Sequence, residues 1–176
     1  ILSDRINQSS PQMRAGMASA FIKTISESIQ NKKADLISIA LSISSEQNKK
    51  PPNESSIKTL TEQQSNILAE LRNHKSIIRR LDTITQSGGK HKDISIFHDI
   101  EKVPEFRKES WSMWNCAERP VMEQIIQERG QNAKFDNVNQ EVTIEAAANT
   151  SNPYTKPKCD NCKCIHNEGD DHHEHD

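Results

Sequence analysis

The sequence predicts a mostly α protein: a coiled-coil, helical oligomer with flexible arms and a small Cys/His-rich tail. Apolar residues recur at helical spacing in several stretches before residue 90. Leu, Ile, Val and Phe together supply only 35 of 176 residues, close to the level below which a chain stops building a full core of its own. Three of the four cysteines crowd into the segment from Cys159 to Cys164, which is no framework of spread disulfides and favours a reducing, intracellular and cytoplasmic setting.

The same composition removes several classes of function. The five glycines spell neither G-x-G-x-x-G nor G-x-x-x-x-G-K-[ST], so no glycine-rich phosphate cradle can be written. No apolar run approaches the roughly 20 residues that span a bilayer, so no membrane partner is expected. Beginning at Ile1 rather than Met, the chain reads as a processed product or a fragment. Residues 1–90 carry net charge +5 and residues 91–176 carry −7. Such a split suits a basic element that meets acidic partners, or two solvated surfaces.

Residues 1–50 read as amphipathic helices. Ser10 is a capping residue and Pro11 suits the first helical position, because its missing N–H would be unpaired there anyway. Met13, Met17, Phe21, Ile22, Ile25 and Ile29 follow on one face, predicting a helix that ends near Asn31. Leu36–Ile43 fits strand or helix periodicity and is assigned as a second helix, since no turn signal or strand partner lies nearby. Pro51-Pro52 marks a hard break.

Residues 51–88 read as an oligomerising coiled coil. With Ile57 at position a, the heptad seam runs Ile57, Leu60, Gln64, Ile67, Leu71, His74, Ile78, Leu81 and Thr85. Glu70 then falls at g and Lys75 at the next e, a pair that meets between parallel chains. Leu71 at a and Ile67 at d favour a tetramer or trimer of the chain with itself. An amphipathic helix packed inside one chain would display much of the same pattern. Gln64 and His74 are polar layers that set register, and His74 is also a candidate reporter of pH. Ser87-Gly88-Gly89-Lys90 ends the helix through the left-handed conformation glycine accepts.

Residues 89–109 read as a linker. Residues 110–130 read as a short helical element: Ser110 caps a turn bearing Trp111 and Trp114, and Pro120 opens a helix running to Gly130. Trp111, Trp114, Ile125 and Ile126 are the candidate partner-binding residues, because Trp dominates protein interfaces; a small local core would use the same residues. Residues 131–158 read as flexible.

Residues 159–176 form the tail. Thiolate and imidazole are ligands that Zn²⁺ prefers, and Cys159-x-x-Cys162 lets two sulfurs meet one ion. Cys159, Cys162, Cys164, His166 and His172 are the candidate ligands, with His173 competing and Cys116 available to complete the set. Adventitious binding by a His/Asp-rich tail and a redox or inert thiol cluster are the competing readings. Nucleic acid is a weaker expected partner, through Arg72, Arg79, Arg80 and Lys75, because no aromatic residues interleave with them. Asp93, Asp99, Glu101 and Glu105 read as a solvated charge run, and no acid–base pair or nucleophile can be nominated.

The coil from Ile57 to Thr85, preceded by helices between Pro11 and Ile43 and closed by Ser87-Gly88-Gly89-Lys90, resembles in architecture the central oligomerisation region of the phosphoproteins of nonsegmented negative-strand RNA viruses. That resemblance implies a viral polymerase cofactor whose coil tetramerises while its arms tether polymerase to nucleoprotein-coated RNA. The Cys/His tail and the Trp111/Trp114 element depart from it. From the residues themselves the expectation is a non-enzymatic, oligomeric scaffold or adaptor that binds protein partners through several weak segments. A zinc-dependent nucleic-acid-binding or host-interaction module, and a helical subunit of a larger complex, are the alternatives.

Overall fold

The structure, a computed structural model, describes residues 2–107, 118–135 and 138. It is mostly helical, with no strand among the described residues. The described residues include the α-helices Leu2–Gln8 (α1), Pro11–Gln47 (α2), Glu54–Gln86 (α3), Ile96–Asp99 (α4) and Glu118–Arg129 (α5), with 3₁₀ turns at Ile100–Lys102 and Pro104–Phe106 after α4 and at Gly130–Asn132 after α5. Contacts divide the chain into two compact units, Ile25–Ile78 and the pair of segments Ile1–Thr24 and Arg79–Asp176.

Local chemistry sets the helix ends. Ser10 Oγ accepts the Met13 N–H at 3.1 Å, so Ser10 caps α2 and Pro11 is its first residue, as the sequence predicts. The helix then continues to Gln47 instead of stopping near Asn31. No proline lies between Pro11 and Pro51, so nothing interrupts the hydrogen-bond ladder, and Leu36–Ile43 extends the first helix. Asn53 caps α3, its Oδ1 accepting the Ser56 N–H at 3.2 Å. At the far end the Gly89 N–H reaches Ile84 O at 2.8 Å and the Gly88 N–H reaches Thr85 O at 3.0 Å. These bonds make a Schellman motif, with Gly88 at φ +64° where a side chain would be strained.

Ile25–Ile78 is a helical hairpin made from the latter part of α2 and the first part of α3. Lys32 Nζ bonds Glu70 Oε2 at 2.7 Å, and Asp35, Ser38 and Ile39 share a groove with Gln63, Asn66 and Ile67. Residue numbers rising on one arm as they fall on the other make the arms antiparallel. The heptad stripe of α3 turns toward α2: Leu71, His74 and Ile77 are buried, while Ile57, Leu60, Gln64, Ile67 and Ile78 are half-buried. Glu70, expected to reach Lys75 of another copy, bonds Lys32 of its own chain.

The second unit has a core of its own. Met13, Met17 and Phe21 of α2, Leu81 and Ile84 of α3, and Ile6 of α1 are all buried. Residues 89–109, expected as a linker, contribute Ile96, Phe97, Ile100, Val103 and Phe106 to this core. Their spacing of one, three, three and three residues puts them on one side of α4 and the following turns. Phe21 meets Phe97 at 6.1 Å between ring centroids and Phe106 edge-on at 5.1 Å and 76°, a geometry aromatic quadrupoles favour. Helix α5 packs on α1, and Arg5 Nε lies 3.7 Å from Glu123 Oε1. Gly16 leaves room on α2 for the Phe135 side chain, which any added Cβ would strike.

Candidate functional site

The hairpin carries the largest share of the residues singled out from sequence. Its stripe is only partly covered, because two helices shield each other on one side alone. Around it the large apolar side chains Ile37, Leu41 and Leu68 are exposed. The groove between the arms has a volume of about 340 Å³, with Ile39 and Ile67 facing it and Asp35, Ser38, Gln63 and Asn66 completing its lining. His74, one of the polar layers, is 1% exposed.

The other expected residues fall differently. Ile125 and Ile126 are buried within their unit, leaving little surface for a partner, because α5 uses them in the chain's own core. Trp111, Trp114 and Cys116 lie outside the described residues, as do Cys159, Cys162, Cys164, His166, His172 and His173. Among the described residues no group of three or more His, Cys, Asp or Glu side chains could hold a metal ion, and no helix is long and apolar enough to cross a membrane.

Of the basic residues expected to meet nucleic acid, Arg72, Lys75 and Arg79 are exposed, but Arg80 is committed elsewhere. Its Nε donates to Asp93 Oδ2 at 2.7 Å and its Nη2 to Asp93 Oδ1 at 2.9 Å, while Nη1 reaches Asp99 Oδ2 at 3.1 Å. Bidentate pairing of this kind is the strong form of a charged hydrogen bond. It holds the Asp93 carboxyl down at about 2, chiefly through the Arg80 bond, and holds the Arg80 guanidinium above its usual value. Asp93 Oδ1 also accepts the N–H groups of Ser95 and Ile96, each at 3.2 Å, so the carboxylate orders the start of α4. Asp93 and Asp99 therefore organise structure where the sequence suggested a solvated run.

Two further clusters need no substrate to explain them. Arg14 is 3% exposed; its Nε donates to Gly89 O at 2.8 Å and its Nη1 donates to Ser9 O. Those carbonyls follow the C-terminal ends of α3 and α1, where backbone dipoles favour a cation, although burial lowers the guanidinium's pKa. Ser3 Oγ lies 3.2 Å from both ring nitrogens of His98, whose Nε2 lies 3.0 Å from Asp4 Oδ1. Ser3 is buried and has no open path to a substrate, so the imidazole ties α1 to α4. Arg14 and the capping role of Asn53 escape the sequence reading, which takes Asp93 as part of a solvated run; the Asn–Glu start of α3 is the one local signal available.

Comparison with protein-family models, with curated proteins and with solved structures returns no match.

Proposed function

We propose that the chain is a non-enzymatic, self-associating helical scaffold that presents weak partner-binding segments in several copies, so that avidity takes the place of a single tight pocket. One observation carries this reading: the hairpin leaves its apolar surface half finished. Ile57, Leu60 and Ile67 remain partly exposed on the inward stripe, and Ile37, Leu41 and Leu68 stand in solvent. Amphipathic helices bury apolar faces left uncovered by acquiring helical neighbours. The associating element in this reading is the whole hairpin rather than a bare α3. The polymerase-tethering role implied by the viral resemblance would be one use of such a scaffold.

Light scattering on the full chain across a concentration series tests the reading. A discrete multimer is the expected result, and a monomer at every concentration rejects it.

A further inference from the structure

Ile37 and Leu41 are 66% and 69% exposed and lie one turn apart on α2, within the hairpin unit. With Ala34 and Ser44 they follow a three-four-three spacing, so the four share one stripe. It faces away from α3, because the half-buried residues of this segment are Lys32, Leu36, Ile39, Ser42 and Ile43. Between Asp35 and Glu46 there is no ionisable residue.

We propose that this outer face of α2 docks antiparallel on the same face of a second copy of the chain. The inference rests on the self-association proposed above and names the surface that makes it. A two-fold interface must be self-complementary, and this face is. An axis beside Ile39 sets each Ile37 against the partner's Leu41, with the small Ala34 and Ser44 as room for those two knobs. Charge selects the orientation. Glu27 and Lys50 are both exposed and lie 12 and 11 residues to either side of Ile39, Glu27 on α2 and Lys50 in the turn just past its end at Gln47, so the antiparallel pair brings Glu27 toward the partner's Lys50 at both ends. A parallel pair would set Glu27 against Glu27, which like charges disfavour.

The test uses the full chain and measures mass by light scattering, with helix content by circular dichroism alongside. Ile37→Lys with Leu41→Lys changes only solvent-facing positions, so the expected result is unchanged helicity with the mass of the assembly halved or lower. Glu27→Lys is expected to weaken association about tenfold through two rim pairs, and adding Lys50→Glu to restore it. A multimer whose mass survives Ile37→Lys with Leu41→Lys overturns this face and leaves the scaffold reading standing. A drop in mass with no rescue by the charge exchange overturns the antiparallel arrangement. A chain that is monomeric at all concentrations overturns both.

Discussion

Arg14 Nε donates to the carbonyl oxygen of Gly89 over 2.8 Å, joining the first turn of α2 to the residue that closes α3. The same guanidinium holds Ser9 O, so one side chain ties three helix ends. Replacing it by Met should leave two carbonyls without their charged donor and cost about 2–3 kcal/mol. Arg14→Lys keeps the charge but has one ammonium for two separated acceptors, and should cost about 1 kcal/mol. Urea denaturation of the two variants checks the order; equal losses would show that charge alone matters.

The Arg80–Asp93 pair makes a pH prediction. Its folded-state carboxyl sits at about 2, below the ordinary carboxylate value, so its contribution is complete above about pH 4 and is lost as pH falls from about 4 toward 2. Asp93→Asn should therefore cost about 1 kcal/mol near neutrality, a modest value for a partly exposed pair, and little in strong acid. Stability of both proteins measured between pH 7 and pH 2 should converge; a gap independent of pH would remove the ion pair as its cause.

Phe106 is fully buried and meets Phe21 edge-on. Phe106→Ala should destabilise by about 3–5 kcal/mol, the range for emptying an aromatic site in a core. A loss below about 1 kcal/mol, read from thermal or urea melts, would return residues 89–109 to the status of a linker.

We further propose that the Cys/His tail holds zinc. The full chain, dialysed free of excess metal, is then expected to retain one zinc ion per chain, and Cys159→Ser with Cys162→Ser to lose it. Since the ligands must be deprotonated, retention should weaken in acid. Elemental analysis showing no zinc in the native chain, or equal zinc in the variant, rejects the site.

The features legible in sequence are those governed by neighbours along the chain. Ser10-Pro11, Gly88-Gly89 and the stop at Gly130 each fix a helix end through bonds spanning a few residues, and each stands where expected. The α3 stripe was legible as well, but periodicity says only that one face seeks cover. That α2 supplies part of it depends on a turn at residues 48–53 folding the two arms together. Phe97 and Phe106 were hidden because His, Asp, Glu and Lys interleave with them and their partner Phe21 lies about 80 residues upstream. Arg80 looked like a free cation for the same reason: its carboxylates lie 13 and 19 residues away.

Ser10 Oγ donates to Ala133 O, and Phe135 settles over Gly16, so the start of α2 is finished by residues made more than a hundred positions later. During synthesis that end of the helix must wait, with its notch open, until residues 133–135 have been made. Closing so long a loop is slow. A product truncated before Ala133 would carry the vacant notch permanently.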